Sequence, residues 1–593
     1  MRNEASVRIR EALRALEEAR SAVVETETLR SALAEIGAAL ERMERRGAVL
    51  AAQQQLLDDR LLRVENNRLF RVWSAVVGWV LDLRRRAGGS GIGESPAEEY
   101  AVWTAHERAA LPAPEEARRA VEGWRVRPRF SVVTWTGGET AGRALEWLRA
   151  QAYPEWEACV GGPGAAAGLA AAAGQATGDY LVFLGPEDVL SPFALYFVAE
   201  ALQWGSFDVG YADEDRVDSA GGRCRPHFKP GWSPALLERR MYLGRPLIVR
   251  REWFVKRGGL SPESAQAHFH EMARRLTEGA AVRHIPRVLC HRPADAPDDP
   301  DLPQPTRQAG GPMTAVICSR TPRLLESCLK SLRATASRQI PEIVVVAHEE
   351  GGPNEALREA ARRHGAAVVS YGGAFNFSDM NNRGAAAAAG PHLLFLNDDV
   401  LAHSPGWAEE LAGELELPGT GIVGAVLRYP SGALQHAGLV TGMVDGVGHA
   451  GRWMERSELW PWLLETRNVS AVSGACMAVR AEVFAALGGF DPAFPNNYND
   501  VDLCFRAAAR GWKVVCAAVP GLVHAECRTR RGLVRFEERL LFFERWAEVL
   551  ACPDPYYSPS LAPAERIGLR LGGGWACAAV LAEAGTEDPL QQE

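Results

Sequence analysis

The sequence predicts an α/β fold that occurs twice in tandem after a long helical segment. Short apolar strands alternate with amphipathic helices along two stretches of the 593-residue chain, and this alternation indicates mostly parallel sheets covered on both faces. One segment also recurs, because residues 178–190 read GDYLVFLGPEDVL and residues 390–401 read GPHLLFLNDDVL. We therefore expect two copies of one sheet architecture.

A second pair of segments indicates that the copies differ in their acids. Residues 258–279 mirror residues 488–511, and aligning their final glycines gives an offset of 511 − 279 = 232 residues. That offset places Asp500 opposite His268. One copy has kept its carboxylates and the other has lost them, which suggests one active site and one scaffold.

Composition and charge exclude several classes of function. The chain is 47% hydrophobic and 24% charged, as is ordinary for a globular protein, and its net charge of −8 argues against a general nucleic-acid binder. Its 11 cysteines form no CxxC pair, which fits reduced thiols better than a disulfide framework. The charged first residues and the absence of an apolar run of about 20 residues predict neither a secretory signal nor a membrane span. We therefore expect a cytoplasmic protein.

The N-terminal residues predict helical structure. From Leu33 to Val64 apolar residues recur at three- and four-residue intervals, broken by Gly47 and Gln54, so residues 1–66 are expected to form a helical coiled coil that can self-associate. A helix packed on the chain's own surface is the alternative. Residues 67–127 are expected to be a helical linker region. Its apolar run 72–83, which three arginines follow, predicts a buried helix, or else an anchor for peripheral contact with the inner face of a membrane.

The remaining domain boundaries follow from where the alternation of strands and helices stops. The first α/β domain is expected over residues 128–296, and the Pro-rich residues 297–312 are typical of a linker. The second α/β domain is expected over residues 313–552, and residues 553–593 form a C-terminal tail. Ligands of such sheets bind beyond the carboxyl ends of the strands, so functional side chains should follow strands.

Consecutive acids follow one buried strand of the second copy. Asn397, Asp398 and Asp399 come directly after the apolar residues 393–396. Acids at a strand end are costly unless a positive group meets them. A divalent cation holding a diphosphate is a natural partner, because Mg²⁺ and Mn²⁺ prefer carboxylate and phosphate oxygens. An Asx turn at the end of the strand is the alternative.

Two further elements are expected at the same edge of the sheet. The sequence Asn-Asp-Val-Asp at residues 499–502 opens a helix, and two acids with an asparagine exceed what a helix cap needs. Asp500 is therefore a candidate general base for an attacking hydroxyl. His524 follows the next strand, and it could share one metal ion with Asp399.

Taken in order, these motifs carry a family resemblance. From about residue 313 to residue 561 the chain resembles the family 2, GT-A fold, inverting glycosyltransferases, most of all the rhamnosyltransferase-like enzymes of O-antigen and surface-polysaccharide assembly. The matching segments, in order, are FNFSDMNNRG at 375–384, LNDDV at 396–400, GAVLRYPSGALQHAG at 424–438, NVSAVSGACMAVR at 468–480, GGFD at 488–491, NDVDLCFR at 499–506, His524 and DPYYSPSL at 554–561. Several motifs in one order are far more specific than any one alone.

The resemblance implies an enzyme and its reacting groups. Asp399, with Asp398 beside it, matches the motif that binds a divalent metal ion, Mn²⁺ or Mg²⁺, and the diphosphate of a nucleotide sugar. His524 matches the later metal-binding histidine, and Asp500 matches the catalytic base. The expected reaction moves a sugar from the nucleotide-diphosphate donor to a hydroxyl of a glycan or lipid-linked glycan acceptor, with inversion.

The resemblance also implies residues that bind the donor sugar nucleotide. Asn382 and Arg383 match the segment beneath the donor, and Gly474, Ala475 and Cys476 match the strand that lines the sugar pocket.

Two segments depart from the family pattern. The family usually carries an aspartate where residues 319–321 read Ser-Arg-Thr, and Asp-Asn or Asp-Asp where residues 347–349 read Ala-His-Glu. These positions normally hold the base and the ribose of the donor. The departures favour an alternative function, in which both copies form a catalytically inactive scaffold or interaction protein of a polysaccharide-assembly complex. A nucleotidyltransferase would need a basic, Gly-rich loop, which residues 318–323 do not supply.

The first copy resembles the same family in a degenerate form. Its metal motif has become Gly-Pro-Glu-Asp at residues 185–188, and His268 stands at the position of the base. The acids at residues 213–215 are expected in a solvated turn. Zinc binding by His268 and His270 is disfavoured, because no third or fourth ligand is evident.

Overall fold

The structure is a computed structural model. It describes residues 96–135, 147–163, 165–260, 269–296, 310–443, 445–456, 460–525, 535–564, 567 and 569–570. The coiled coil predicted over residues 1–66 lies outside the described residues, as do His268 and most of the linker predicted over residues 297–312. The domain boundaries stay predictions.

The first half of the described chain contains eight strands. Its elements are α1 (Pro96–Ala109), α2 (Pro114–Glu122), β1 (Phe130–Trp135), β2 (Trp156–Gly161), α3 (Ala165–Gln175), β3 (Tyr180–Phe183), β4 (Val189–Leu190), α4 (Ala194–Gln203), β5 (Val209–Val217), β6 (Arg223–His227), α5 (Pro234–Leu237), β7 (Leu247–Arg250), α6 (Arg251–Lys256), α7 (Phe269–Thr277) and β8 (Val282–Pro293). They form one sheet in the order β2-β1-β3-β7-β5-β8-β4, and β6 pairs with β5.

The second half contains a larger set of elements. They are β9 (Met313–Ser319), α8 (Pro322–Thr335), β10 (Glu342–His348), α9 (Glu355–Arg363), β11 (Ala367–Tyr371), α10 (Phe377–Ala386), β12 (His392–Leu396), β13 (Val400–Ala402), α11 (Trp407–Leu415), β14 (Thr420–Ala425), β15 (Leu427–Arg428), β16 (Leu434–His436), β17 (Val440–Met443), β18 (Gly446–Gly448), a 3₁₀ turn (Pro461–Leu464), β19 (Arg467–Asn468), β20 (Cys476–Arg480), α12 (Ala481–Ala486), α13 (Asn499–Ala509), β21 (Lys513–Ala517), β22 (Leu522–His524), α14 (Phe536–Arg545) and α15 (Ala547–Leu550). The main sheet has the order β11-β10-β9-β12-β20-β14-β21-β19, and a small sheet has the order β13-β22-β15-β16.

The two main sheets share one path over six strands. In the first, β2-β1-β3 are parallel neighbours, β7 is antiparallel to both β3 and β5, and β5 is parallel to β8. In the second, β10-β9-β12 are parallel, β20 is antiparallel to both β12 and β14, and β14 is parallel to β21. Equivalent strands also follow in the same chain order, as the recurring sequence segments predict. The GT-A character of the first sheet stays a prediction.

Helices pack closely against the second sheet. All five residues of β12 are buried, as the run HLLFL predicts for a central strand. In α10, a Cβ added at Gly384 would stand 2.3 Å from a methyl carbon of Val316 in β9. The glycine therefore lets the helix that carries the predicted donor-binding residues lie against the strands.

The two halves contact each other within one compact unit, Ser95–Glu593. Arg239 from the first half forms ion pairs with Glu410 and Glu414 of α11, and its side chain is almost fully buried. Trp462 donates from Nε1 to the carbonyl oxygen of Phe228 at 2.9 Å. Buried, charge-assisted contacts of this kind fix the relative position of the two sheets. In the part of the chain that the structure describes, no helix is both long and apolar enough to cross a bilayer.

Candidate active site

Asp399 and His524 meet where the main sheet gives way to the small sheet. Asp399 precedes β13, and Val400 of β13 pairs with His524 of β22 in antiparallel register. The Asp399 carboxylate oxygen Oδ1 lies 3.1 Å from His524 Nε2, and both side chains are buried. Residues 125 positions apart in the chain are thus brought into direct contact.

This pair fits a divalent cation. Two ligands about 2.1 Å from one ion and at right angles to each other lie about 3 Å apart, close to the separation found here. Nδ1 of His524 is buried, and no hydrogen-bond partner for it occurs among the described residues, so a water or ligand oxygen would satisfy it. Within the described ranges no three His, Cys, Asp or Glu side chains form a metal cluster. Diphosphate oxygens and water would therefore supply the remaining ligands.

Asp398 is tied to the end of the first strand of the sheet. The Ser319 hydroxyl donates to Asp398 Oδ2 at 2.6 Å, and it also accepts the backbone N–H of Thr321. Burial raises the pKa of Asp398 to about 6, although the Ser319 hydrogen bond lowers it; neighbouring Asp399 raises it further. Ser319, where the family usually has an aspartate, thus connects β9 to the acidic turn.

Asp500 is held by backbone groups at the start of α13. Tyr498, just before the helix, has a left-handed φ of 61°, which turns the chain sharply into it. Asp500 Oδ2 accepts the backbone N–H of Gly474 at 2.8 Å, and Oδ1 accepts that of Val501 at 2.9 Å. These bonds orient a half-exposed carboxylate beside the predicted sugar pocket.

Asp502, the other acid of the motif, is a structural residue. It is fully buried, and it accepts from Arg506 Nε at 2.8 Å, Arg545 Nη1 at 2.8 Å and Trp546 Nε1 at 3.1 Å. The two acids at the start of α13 therefore have different roles. One acid packs α13 against the C-terminal helix, and only Asp500 is accessible.

The predicted donor segment makes two different contacts. Asn382 donates to the carbonyl oxygen of Phe490 at 2.8 Å and accepts its N–H at 2.9 Å, so its amide supports the Gly-Gly-Phe turn. Arg383 is exposed, lies 4.7 Å from the centre of the Tyr371 ring and pairs with Asp379. Their roles beneath the donor stay predictions.

The predicted pocket strand connects the acids to the base. Asn397 donates its N–H to the carbonyl oxygen of Ala475 at 3.0 Å, and the next residue back, Gly474, binds Asp500. Cys476 begins β20, and burial raises the pKa of its thiol to about 12, so the thiol is not a nucleophile. Asp399 therefore follows β12, and Asp500 at the start of α13 is hydrogen-bonded to Gly474, just before the neighbouring strand β20.

The second departure from the family pattern has a structural explanation. Glu349 forms a two-point ion pair with Arg358, with both N–O distances 2.7 Å, and it accepts the N–H of Asn354. The Arg358 hydrogen bond lowers the pKa of Glu349 to about 2. His348 contacts the carbonyl oxygen of Gly373 through Nε2. The Glu349 carboxylate therefore binds groups of the protein itself.

A pair of histidines, of which His436 is buried, contacts the residue before the predicted pocket strand, and the sequence motifs assigned it no role. His436 Nε2 accepts the N–H groups of Ser473 at 3.2 Å and Gly438 at 3.3 Å, and its Nδ1 lies 3.0 Å from Nδ1 of His449. Burial lowers the pKa of His436 well below 6.5, so the ring is neutral. The motif Gln-His-Ala-Gly carried the signal, but only the fold shows what His436 contacts.

In the first sheet, an arginine lies beside the aspartate that aligns with Asp399. Asp188 follows β3 as Asp399 follows β12, and the Arg245 Nε lies 3.5 Å from its carboxylate. Arg245 also donates its backbone N–H to Glu214 at 2.6 Å. His270 contacts the carbonyl oxygen of Leu237, which is a structural role.

The prediction of a solvated turn at residues 213–215 is wrong. These acids lie in β5 and are buried. Asp215 pairs with Arg223, and Glu214 pairs with the fully buried Lys229. Although burial raises it, the pKa of Glu214 is held well below its usual value, first of all by Lys229. The cations that meet Glu214 and Asp215 come from neighbouring segments, and Asp213 accepts the backbone N–H of Lys229 at 2.9 Å.

Comparison with known proteins identifies the family of the second half of the chain. Residues 311–542 match the family model described as Glycosyltransferase like family 2. These residues are a family 2 glycosyltransferase domain. The resemblance stated from the motifs is confirmed for these residues.

The proteins similar to this chain include two curated proteins and one solved structure, as follows. The O-antigen biosynthesis protein RfbC of Myxococcus xanthus is 34% identical over 445 residues, which cover 66% of this chain and 34% of RfbC. The N-acetylglucosaminyl-diphospho-decaprenol L-rhamnosyltransferase of Mycobacterium tuberculosis is 27% identical over 238 residues, covering 36% and 75%. The chain therefore spans about a third of the length of RfbC. The mannosyltransferase PcManGT from Pyrobaculum calidifontis, solved with GDP-Man and Mn²⁺, is 16% identical with a TM-score of 0.31 and covers 42% of this chain and 68% of its own.

Proposed function

We propose that residues 313–552 transfer a sugar from a nucleotide-diphosphate donor to a hydroxyl of a glycan or lipid-linked glycan, with inversion, in O-antigen or surface-polysaccharide biosynthesis. The observation that carries the proposal is the link between the acidic turn and the base. Asp399 follows β12, Asp500 binds the N–H of Gly474 just before the neighbouring strand β20, and the hydrogen bond from Asn397 to Ala475 joins these two segments. A cation at one end and a proton acceptor at the other are what an inverting transfer requires.

Asp500 acts as the general base. Its carboxylate, oriented by the N–H groups of Gly474 and Val501, removes the proton from the acceptor hydroxyl. The acceptor oxygen then attacks the anomeric carbon on the face opposite the diphosphate, and the bond to the diphosphate breaks. Holding both substrates in line contributes several kcal/mol, up to about 7 to 11, to the lowering of the barrier.

Asp399 and His524 would hold the divalent cation. When bound, Mn²⁺ or Mg²⁺ supplies Lewis-acid stabilisation of the departing diphosphate. Asp398, which Ser319 fixes, adds negative charge and orients the turn. Arg383 lies on the donor side and carries a permanent positive charge for the nucleotide phosphates.

The rest of the chain serves this reaction without catalysing it. The pair of Asp188 with Arg245 supports a scaffold role for the first domain, because a fixed guanidinium fills the position of a cation. We place the reaction in the cytoplasm, with peripheral contact at the inner face of the membrane and self-association through residues 1–66. The free state of every cysteine that the structure describes supports a reducing compartment.

A donor screen tests the proposal. Thermal unfolding of the full chain is measured with UDP-, GDP- and dTDP-sugars, with and without Mn²⁺, because a ligand that binds the native state raises its apparent stability. One nucleotide sugar should stabilise the wild type in a Mn²⁺-dependent way. Asp399→Asn should remove the Mn²⁺ dependence, whereas the matched control Asp218→Asn, at an exposed turn of the first domain, should retain it.

The same samples separate an enzyme from a scaffold. Titration calorimetry should give one donor site per chain, and NMR should show that the anomeric configuration of the transferred sugar is inverted. Absence of any nucleotide-sugar binding would instead support the inactive scaffold. Two sites per chain would contradict the assignment of the first domain.

A further inference from the structure

Two stacked rings lie beside the candidate active site and take no part in the reaction described so far. The rings of Tyr429 and Trp453 are parallel within 2°, and their centres are 3.6 Å apart. Arg452 donates from Nε to the Tyr429 hydroxyl at 2.7 Å, and its guanidinium lies 5.4 Å from the centre of the Trp453 ring. We name Tyr429 and Trp453 the aromatic platform.

The upper ring of the aromatic platform is open to solvent. Trp453 is 55% exposed although Tyr429 covers one of its faces, so the exposed part includes the opposite face. Tyr429 beneath it is buried. An indole face presented in this way offers a large, rigid apolar surface at little cost in conformational entropy.

The backbone at Trp453 is strained in order to hold this ring. Its φ of 67° is left-handed, which for a bulky residue costs on the order of 1 to 3 kcal/mol. Two hydrogen bonds to β16 stabilise this conformation, from Trp453 N to the Leu434 carbonyl at 2.8 Å and from Leu434 N to the Met454 carbonyl at 3.0 Å. Strain that the surrounding structure maintains at an exposed ring points to a ligand.

The register of the small sheet places the aromatic platform beside the cation pair. Strands β15 and β22 are parallel, and Arg428 pairs with Val523. Tyr429 follows Arg428 as His524 follows Val523, so both residues leave the same end of neighbouring strands, which are about 4.8 Å apart. The ring that supports Trp453 therefore starts next to the predicted metal ligand.

The aromatic platform belongs to the small sheet, which continues from Asp399 away from the main sheet. On the main-sheet side, Ser319 at the end of β9 binds Asp398 in the turn after β12, and the proposed function puts the donor there. The small sheet continues from Asp399 in the other direction, through β13, β22, β15 and β16. Under the proposed function, a group bound on Trp453 would lie on the small-sheet side of Asp399, away from Ser319.

We propose that the aromatic platform binds a sugar ring of the glycan acceptor, which stacks its C–H face on the exposed face of Trp453. Pyranose rings carry such an apolar face beside their hydroxyls, and a solvent-exposed indole buries it without desolvating those hydroxyls. This inference rests on the proposed transfer reaction and assigns its acceptor subsite. Arg452, at the edge of both rings, places a positive charge and donor groups beside the hydroxyls.

Saturation-transfer NMR on the full chain tests the subsite. The probes are methyl glycosides of rhamnose, glucose, galactose, mannose and N-acetylglucosamine. Wild type should transfer saturation to the ring C–H protons of at least one glycoside. Trp453→Ala should lower that signal about tenfold, and Trp453→Phe should restore most of it. The matched control is Trp204→Ala at the end of α4 in the first domain, where the indole is 74% exposed, and it should keep the wild-type signal.

Each outcome decides the inference. A signal from Trp453→Ala equal to that of wild type, or no signal from wild type, would overturn it. Loss of the wild-type signal on adding UMP or GMP would assign the aromatic platform to the donor base instead. Once the donor is known, Trp453→Ala should raise the acceptor KM about tenfold more than it lowers kcat. Glycoside binding without any sugar transfer would refute the proposed function alone, and transfer with an unchanged acceptor KM would refute the subsite alone.

Discussion

The two acids at the start of α13 should separate stability from catalysis. Asp502→Asn removes the charge that meets Arg506 and Arg545, and it turns an amide N–H toward one of these donors. A lost hydrogen bond to a charged group costs about 1.5 to 3 kcal/mol, and the weakened bonds from Arg545 and Trp546 add to it. We expect a loss of about 2 to 4 kcal/mol in the free energy of unfolding. When the whole unit Ser95–Glu593 unfolds cooperatively, this loss lowers the melting temperature by about 2 to 4 °C.

Asp500→Asn should behave in the opposite way. Its carboxylate is half-exposed and binds two backbone N–H groups, so the stability loss should stay near 1 kcal/mol. The transfer rate should fall by about 10² to 10⁴, which is what a general base contributes. Differential scanning fluorimetry and initial rates at saturating donor, on the same preparations, measure both effects.

The reasoning would be refuted by either crossed result. If Asp502→Asn loses transfer as completely as Asp500→Asn at a temperature where it is fully folded, then the assignment of Asp502 as structural is wrong. If Asp500→Asn keeps near-normal transfer, Asp500 is not the base.

Two further predictions concern stability. Gly384→Ala should cost about 1 to 3 kcal/mol by overpacking, because its Cβ would lie 2.3 Å from Val316. The control Gly174→Ala, in α3 with open space around it, should be neutral or stabilise by up to about 1 kcal/mol; equal melting temperatures would contradict this. Glu349→Gln should cost about 1 kcal/mol at neutral pH, because it breaks the two-point pair with Arg358. The pKa of Glu349 is lowered from 4.5 to about 2, so its contribution is present above pH 4.5 and is lost as the pH falls through 2. Urea unfolding should therefore show the gap to wild type closing between these values, and a constant gap would contradict the assignment.

Strand ends were the part of the site that sequence could predict. Polar residues that directly follow a buried apolar strand must lie at the end of that strand, so Asp399 and His524 were expected at one edge of the sheet. The structure places their side chains in contact. The partners of the other acids were not predictable. The structural role of Asp502 depends on hydrogen bonds from Arg545 and Trp546, which lie 43 and 44 residues away in the chain. Spacing within a motif carries no information about such distant donors.

The wrong prediction for residues 213–215 has the same physical origin. Three consecutive acids favour a solvated turn when no cationic side chains surround them, and the sequence alone does not show such neighbours. In β5 they alternate between the two faces of a strand, and Lys229 and Arg223 reach them from β6 and the segment after it. Trp453 was missed for a related reason, because neither its left-handed backbone nor its stacking on Tyr429 is visible in a hydropathy pattern.

The contrast between the two sheets is the strongest physical reason to expect an external cation in the second. Both sheets follow one path and place a buried aspartate after the equivalent strand, and a buried carboxylate needs a positive partner. In the first sheet the chain supplies that partner itself, since Arg245 meets Asp188. In the second sheet Asp399 meets His524, a residue that coordinates metals when neutral, and Asp398 lies beside it with a raised pKa. Under the proposed function, one fold would satisfy the same electrostatic demand in two ways, with a fixed guanidinium in the first domain and with an exchangeable ion in the second, where a diphosphate would bind and leave.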